Sequence, residues 1–143
     1  MSRYLLDVNV LIALHTPAHG SHQKVQRWFQ SVGRASFSTC AITQSGFLRV
    51  SAQISAETGV GYNEAKIALE KLTGLPGHAF WPLGQGYLEA TVQLESRIQG
   101  HRQITDAYLL GTALAMRGVL ATLDRGVAHL AGAEFRDSVE CLS

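Results

Sequence analysis

Strand-like segments alternate with helix-like segments along this chain, and this alternation restricts the fold more than any other feature of the sequence. A strand is predicted over residues 4–7 and a more apolar one over residues 119–123, with periodic apolar positions that indicate helices between them. Strands separated by helices pair in parallel, because each return to the same edge of the sheet needs a long crossover. The sequence therefore predicts an α/β fold with a central, mainly parallel sheet.

The remaining elements follow from apolar periodicity and from helix-breaking glycines and prolines. Helices are predicted over residues 8–15, 21–32, 41–54, 62–72, 87–98 and 104–117, with a short helical turn over 127–131. Further strands are predicted over residues 35–38, 78–81 and 139–142. Ser21 is the candidate N-cap of the second helix, and Ser38 or Thr39 that of the third. Because no repeat or linker interrupts this pattern, residues 1–143 are expected to form one domain.

Composition excludes several classes of protein. The chain is 46% hydrophobic and 16% charged, which excludes disorder, and its net charge of +1 does not indicate strong non-specific binding to nucleic acid. No apolar run approaches the ~18 residues of a membrane helix, so no membrane association is expected and we predict a cytoplasmic protein. Cys40 and Cys141 are expected to be free thiols, although one disulfide is left open. No glycine-rich phosphate loop is present, so no nucleotide-type cofactor is expected.

Three of the eleven acidic residues stand at one type of place in the predicted fold. Asp7 ends the first strand, Asp124 follows the most apolar strand, and Asp106 lies in the first turn of the sixth helix. The carboxyl edge of a parallel sheet, with the helix N-termini beside it, is where such folds bind ligands. Carboxylates that cluster there raise one another's pKa, and a divalent cation such as Mg²⁺, which takes hard oxygen ligands, removes that cost.

Each carboxylate also has a purely structural interpretation. Asp7 and Asp106 can cap helices, and Asp124 can begin a turn. Near them, Asn9 offers a neutral oxygen, whereas the Thr122 hydroxyl fits an ordinary strand-forming residue. A zinc site at His15, His19 and His22 is disfavoured, because Pro17 and Gly20 interrupt the helix between them.

Three segments resemble, in order, the motifs of PIN-domain nucleases. Residues 7–12 (Asp-Val-Asn-Val-Leu-Ile) look like their opening motif, residues 104–109 like their third acidic motif, and residues 121–125 like their fourth. Residues 42–50 (Ile-Thr-Gln-Ser-Gly-Phe-Leu-Arg-Val) are similar to one subgroup of the VapC toxins of bacterial toxin–antitoxin pairs. The resemblance covers nearly the whole chain.

This resemblance implies a three-layer α/β/α fold and a Mg²⁺- or Mn²⁺-dependent endoribonuclease. It further implies a homodimer that is neutralised by a small VapB-type antitoxin, whose peptide inserts at or near the acidic pocket. The catalytic and metal-binding residues would be Asp7, Asp106 and Asp124, with Asp7 and Asp106 holding one metal and Asp124 positioning a water or completing the second shell. Arg49, Arg102 and Arg125 are the basic residues nearest the motifs; Asn9, Arg49 and Arg125 are the candidate RNA contacts.

The chain departs from the family pattern at Gly46, which stands where most PIN nucleases carry a glutamate three residues before an arginine. Three explanations remain open: the three aspartates suffice, another carboxylate reaches in from elsewhere, or catalysis is weak. The carboxylates considered for the second explanation are Glu57, Glu89 and Glu95. The alternative function is a degenerate PIN domain that binds RNA or a protein without cutting. A haloacid-dehalogenase-type phosphatase is disfavoured, because its second aspartate is replaced by Asn9.

Overall fold

A computed structural model describes residues 2–143 and shows a five-stranded sheet with helices on both faces. The strands are β1 (Tyr4–Leu6), β2 (Phe37–Thr39), β3 (His78–Phe80), β4 (Val119–Thr122) and β5 (Val139–Cys141). Their order across the sheet is β3-β2-β1-β4-β5, and all four neighbouring pairs are parallel. The predicted α/β class and the parallel sheet are therefore confirmed.

Eight α-helices connect these strands. Their bounds are α1 (Val8–His15), α2 (His22–Ser31), α3 (Ala41–Gln53), α4 (Ser55–Thr58), α5 (Tyr62–Thr73), α6 (Tyr87–Ala90), α7 (Ile104–Ala115) and α8 (Arg125–Ala131). The longer ones, such as α1, α3, α5 and α7, agree with the sequence prediction to within two residues at each end. These helices are predicted well because their apolar periodicity is sustained over two or more turns.

Two apolar clusters, one on each face of the sheet, make the three-layer α/β/α arrangement. One cluster packs α1, α2, α3 and α5 against the sheet, and it includes the buried side chains of Leu6, Phe29, Phe37 and Phe47. The other cluster packs α7, α8 and the segment around Trp81 and Leu94 against the opposite face. Each fully buried large side chain contributes roughly 1.5–3 kcal/mol, so the sheet is held from both sides. Both cysteines are free thiols.

The predicted helix over residues 87–98 is wrong. The α-helix ends at Ala90, and a 3₁₀ turn follows at Glu95–Arg97. A side chain on Gly111 of α7 would lie 2.0 Å from the Ala90 carbonyl oxygen, so the two backbones are in direct contact at this point. The chain then turns to bury Leu94, while Val92 is 60% exposed. A helix that continued past Ala90 with Val92 turned toward the core would be incompatible with this packing.

The second strand and the N-cap of α3 also differ from the prediction. β2 is Phe37–Thr39, rather than residues 35–38, because Phe37 pairs with Tyr4 of β1 and is fully buried. The N-cap of α3 is Cys40, whose backbone N–H donates to the Thr43 hydroxyl at 3.0 Å. Ser21 precedes α2 as predicted, but its side chain makes no capping hydrogen bond. None of the helices formed by residues 2–143 combines the length and apolar character needed to cross a membrane.

Candidate active site

The point where the strand order reverses lies between β1 and β4. From β1 the chain proceeds outward through β2 and β3, and β4 then returns to the other side of β1. Parallel α/β sheets open a crevice at the carboxyl edge beside such a reversal, since the following helices diverge to opposite faces. Asp7 directly follows β1, and Asp124 lies two residues beyond β4. The backbone N–H of Asp7 donates to the carbonyl of Ala121 at 3.0 Å, which continues the β1–β4 pairing up to the site.

Asp7 is the most enclosed of the three carboxylates, at 6% exposure. Its Oδ1 accepts a hydrogen bond from the Val8 backbone N–H at 2.8 Å, and its Oδ2 accepts one from the Thr122 hydroxyl at 2.8 Å. Burial raises the pKa of Asp7 and outweighs the opposite effect of these two hydrogen bonds, and the charge of Asp124 adds to the increase. Asp7 is thus both the N-cap of α1 and a constrained carboxylate at the switch point.

Asp106 lies in the first turn of α7, as the sequence predicts. Burial, followed by repulsion from Asp7 and then from Asp124, raises the pKa of Asp106 to about 7. Since charge repulsion acts over short distances in a partly screened site, the chain has brought the carboxylates from three distant segments near one another. The favourable position of a carboxylate at a helix N-terminus is not sufficient to offset burial and this repulsion together.

Asp124 is exposed, and it caps α8 by accepting a hydrogen bond from the Gly126 backbone N–H at 2.8 Å. Asp124 and Asp106 together line a cavity of about 450 Å³. The rest of the lining comes from the 3₁₀ turn His101–Gln103, the two residues before it and Gly126. Asp124, like Asp7, therefore caps a helix and also belongs to the candidate site. The structural and functional interpretations of these residues are compatible.

Thr122 and Asn9 make hydrogen bonds at the site that the sequence does not indicate. Thr122 is fully buried, and its hydroxyl oxygen also accepts from the Asp124 backbone N–H at 3.1 Å and from Asn9 Nδ2 at 3.3 Å. Asn9 Oδ1 accepts from the Leu123 backbone N–H at 3.1 Å. The available signal was a hydroxyl at an inward position of a buried strand, two residues before an acidic residue. Periodicity alone does not distinguish this hydroxyl from that of an ordinary strand threonine.

Gly46 lies on the buried side of α3, where that helix packs on α1. A side chain at residue 46 would place its Cβ 2.6 Å from Val8 Cγ2. That separation is shorter than any stable carbon–carbon contact, so Val8 occupies the space in which a glutamate would begin. Glu57, Glu89 and Glu95 are exposed and do not line the cavity between Asp106 and Asp124. Among the described residues, Asp106 and Asp124 are thus the carboxylates that line this cavity, and none of these glutamates is added to them.

The candidate RNA-binding arginines lie at different distances from the acidic cavity. Arg102 is part of the cavity lining, and Arg125 is exposed in the first turn of α8, where its Nε donates to Ser143 Oγ at 3.3 Å. Arg49 is exposed on α3, outside the cavity lining. His101 adds a second basic group to the lining. The structure thus places positive charge beside the carboxylates mainly through the 3₁₀ turn before α7.

The donor atoms at this site suit a hard divalent cation that uses few protein ligands. Within residues 2–143, no three His, Cys, Asp or Glu side chains converge closely enough to form a complete metal-ligand set. Mg²⁺ nevertheless retains several waters and is held by one or two carboxylates in many sites. Burial and the repulsion from Asp7 and Asp124 raise the pKa of Asp106, and such a cation would offset both costs. Oxygen donors, close negative charges and an open cavity therefore fit Mg²⁺ or Mn²⁺ better than Zn²⁺.

Comparison with known proteins identifies the class to which this fold and site belong. The PIN-domain family profile matches residues 4–133. Ribonuclease VapC44 of Mycobacterium tuberculosis is 36% identical over 126 residues, which cover 88% of this chain and 89% of that protein. Ribonuclease VapC38 of the same organism is 37% identical over 141 residues and 97% of each chain. The chain therefore belongs to the PIN-domain family and, within it, to the VapC ribonucleases.

A solved structure supports the fold independently of these sequences. FitAB bound to an IR36 DNA fragment matches with a TM-score of 0.66 over 97% of this chain and 94% of that one, at 19% identity. At this level of identity the match establishes a shared fold. It agrees with the three-layer arrangement of the two apolar clusters around the parallel sheet.

Proposed function

We propose that this protein is a metal-dependent endoribonuclease that hydrolyses RNA phosphodiester bonds and acts as the toxin of a VapBC-type pair. One observation supports this most directly: Asp7, Asp106 and Asp124 all lie at the switch point, where burial, followed by the charges of Asp7 and Asp124, raises the pKa of Asp106 to about 7. Membership of the VapC ribonucleases supports the same reaction. The site is also open enough, at about 450 Å³, for a backbone segment of RNA to approach.

The three aspartates take different parts in this proposal. Asp7 and Asp106 would hold a Mg²⁺ or Mn²⁺ ion, directly or through water, and Asp124 would position a water or complete the outer shell. When bound, such a cation lowers the pKa of water to give a nucleophile and neutralises charge that develops on the phosphate. The protein's own contribution is to hold Asp7 at the end of β1 through the hydrogen bond from Thr122 and to keep Asp106 in the lining of the cavity.

The substrate would be held through its phosphates. Arg102 and His101 line the cavity beside Asp106, and Arg125 lies next to Asp124, so all three can meet the RNA backbone. Arg49, on the surface of α3, would contact RNA only beyond the acidic cavity. The net charge of +1 agrees with local contacts of this kind better than with a broad electropositive surface.

The protein partners in this proposal are a VapB-type antitoxin and a second copy of the chain, in the cytoplasm. Large apolar side chains remain exposed, including Leu88 at 81% and Val92 at 60%. Val92 lines a cavity of about 400 Å³ together with Gly111, Leu114 and Ala115. Exposed apolar area of this kind is typical of protein interfaces. Size-exclusion chromatography with light scattering would distinguish a dimer of about twice 15.5 kDa from a monomer.

The alternative is a PIN domain that binds RNA or a protein without cleaving it. The observation that favours it is the contact of Gly46 with Val8, since this contact leaves no room for the usual glutamate on α3. Cleavage of a labelled RNA distinguishes the two alternatives. The RNA is incubated with the native protein or with Asp7→Ala, in Mg²⁺ and in EDTA.

We expect Mg²⁺-dependent cleavage by the native protein and none by Asp7→Ala, with Asp106→Asn strongly impaired. RNA binding without cleavage by the native protein would support the alternative, and cleavage that both substitutions leave unchanged would contradict the metal site. Growth inhibition gives a second measurement, because equal inhibition by the native protein and Asp7→Ala would mean toxicity without catalysis.

A further inference from the structure

A chain of hydrogen bonds joins the ends of β1 and β4 beneath the acidic site. Its members are the Leu123 backbone N–H, Asn9, the Thr122 hydroxyl and the Asp7 carboxylate. Asn9 and Asp7 belong to the start of the sequence, whereas Thr122 lies 115 residues from Asp7. Thr122 is fully buried and Asp7 nearly so, so both groups take their hydrogen-bond partners from the protein.

The direction of every bond in this chain is determined by its donors. The Leu123 N–H can only donate, so Asn9 must present Oδ1 to it and Nδ2 to Thr122. The Thr122 oxygen already accepts from Asn9 Nδ2 and from the Asp124 N–H, so its single hydrogen is directed to Asp7 Oδ2 at 2.8 Å. The Asp7 carboxylate is therefore held by a donor whose own orientation is imposed from outside the site.

We propose that Asn9 and Thr122 are positioning residues, which fix the Asp7 carboxylate in the one orientation that a divalent cation needs. This inference rests on the metal-dependent function proposed above. Val8 N–H occupies one acceptor site of Oδ1, and the Thr122 hydroxyl occupies one of Oδ2. Each oxygen keeps one further acceptor site, and the carboxylate cannot rotate without breaking both bonds. Asn9 then acts through Thr122.

The inference also explains why residue 9 is an asparagine. An aspartate there could still accept from the Leu123 N–H, but it could not donate to Thr122. The Thr122 hydrogen would then be shared between two carboxylates, and a further negative charge would stand beside Asp7 and Asp124. Because like charges that are close together are unfavourable, we expect Asn9→Asp to perturb the site more than the loss of the amide in Asn9→Ala.

Direct Mn²⁺ binding to the purified protein tests this inference without relying on activity. Free Mn²⁺ is measured by electron paramagnetic resonance during a titration of the native protein, Thr122→Val and Thr122→Ser. Valine has nearly the shape of threonine but no hydroxyl, whereas serine keeps the hydroxyl. Loss of an outer-shell partner typically weakens metal binding about 10–100-fold, so we expect a loss of that size in Thr122→Val and rescue to within about threefold in Thr122→Ser.

The matched control is Thr112→Val. Thr112 is also buried, at 7% exposure, but its hydroxyl donates within α7 to the Tyr108 carbonyl. We expect native Mn²⁺ affinity in this control. Asn9→Ala should weaken Mn²⁺ binding to the same extent as Thr122→Val, and the double variant should be no weaker than either, because both substitutions break one chain of bonds.

Folding of each variant is checked by circular dichroism and thermal unfolding in EDTA. If Thr122→Val does not fold, the comparison of Asn9→Ala with Thr122→Ser decides the question. Native Mn²⁺ affinity in Thr122→Val or Asn9→Ala, together with lost binding in Asp7→Ala, would overturn this inference alone. Native affinity in Asp7→Ala would overturn the proposed metal site and this inference with it.

Discussion

The two sides of the acidic site are built in different ways. On the strand side, Asp7 is 6% exposed and accepts two hydrogen bonds of 2.8 Å from groups fixed by the sheet and by α1. On the helix side, Asp106 lies in the first turn of α7 and has no hydrogen-bond partner among the described residues, and its pKa is raised to about 7. Burial, followed by the charge of a neighbouring aspartate, destabilises the ionised form of both carboxylates, but only Asp7 is compensated by hydrogen-bond donors.

This difference indicates a division of labour. A carboxylate that is held by the fold can define where a cation sits, since its position does not depend on what is bound. A carboxylate without partners responds to its surroundings, because a cation or a proton removes the repulsion that it experiences. Substitutions on the strand side should therefore remove the site, whereas substitutions on the helix side should change its affinity and its pH dependence.

Substitution of Asp7 should have the largest effect on the reaction. We expect Asp7→Ala to lower the rate of RNA cleavage under single-turnover conditions by about 10³-fold or more, since a catalytic cation supplies several kcal/mol of transition-state stabilisation. We expect Asp106→Asn to cost less, on the order of 10²-fold, because excess Mn²⁺ can partly restore occupancy. The control is Asp137→Asn, an exposed aspartate in the last 3₁₀ turn. Equal losses for Asp7 and Asp106 would contradict the division of labour.

Substitution of Gly46 tests whether α3 has space for a further carboxylate side chain. A Cβ at residue 46 would lie 2.6 Å from Val8 Cγ2, so we expect Gly46→Ala and Gly46→Glu to lower the free energy of unfolding by roughly 1–3 kcal/mol. Replacing a helical glycine with alanine without such a contact would instead stabilise by about 1 kcal/mol. Urea unfolding measures the difference, with the exposed neighbour Ser45→Ala as the control.

Shortening Val8 provides the decisive comparison for this contact. In Val8→Ala the Cγ2 atom is absent, so Gly46→Ala should cost less in that background than in the native protein. An additive double-mutant cycle would show that the Val8 contact is not the reason for glycine at this position.

Much of the fold could be predicted from the sequence, because its elements have local causes. The apolar periodicity of α1, α3, α5 and α7 is sustained for two turns or more, and each of the three aspartates lies directly after a strand or at a helix start. The segment after Ala90 could not be predicted in this way. Its path is set by the close approach of Gly111 to the Ala90 carbonyl, a contact between residues that are far apart in sequence.

For the site, too, the features with local causes could be predicted and those that depend on long-range contacts could not. The presence of three carboxylates at one edge followed from the order of strands and helices, but the hydrogen bonds that orient them did not. Thr122 reaches Asp7 across 115 residues, and Asn9 reaches Leu123 across 114. Likewise, the sequence shows that Gly46 lacks a carboxylate, whereas only the packing of α3 on α1 shows that Val8 leaves no space for one. Long-range contacts of this kind have no signature in local residue patterns.

The helix side of the site should make the stability of the cation-free protein depend on pH. The folded pKa of Asp106, about 7, lies above its ordinary value of 3.8, so between these values the folded state binds more protons than the unfolded state. The free energy of unfolding therefore falls as the pH rises through this window. In EDTA we expect Asp106→Asn to be more stable than the native protein at pH 8 by roughly 1–3 kcal/mol, and the two to converge near pH 4.

Asp7 contributes to the same trend, since burial raises its pKa as well. The pH dependence of the free energy of unfolding that remains in Asp106→Asn therefore measures the contribution of Asp7. Urea unfolding at intervals between pH 4 and pH 8 gives both slopes. A native protein whose stability rises over this interval would contradict the raised pKa values of Asp7 and Asp106.

The smallest effect should come from the basic residues, and it should show which side of the site meets the RNA. Arg102 lines the cavity beside Asp106, whereas Arg49 is exposed on α3 outside that lining. We expect Arg102→Gln to raise the KM for RNA by roughly 3–10-fold with little change in kcat, because a phosphate contact binds substrate and transition state alike. Arg49→Gln should change the KM by less than about twofold, since exposed single charges are largely screened.

The salt dependence of KM separates a phosphate contact from a change in the shape of the cavity. A lost phosphate contact lowers the slope of log KM against log salt concentration by about one unit, whereas a change in shape leaves the slope as it was. A larger effect at Arg49 than at Arg102 would place the RNA across α3 instead of the 3₁₀ turn before α7. In that case the strand side would hold both the cation and the substrate, and Asp106 would lie at the edge of the site.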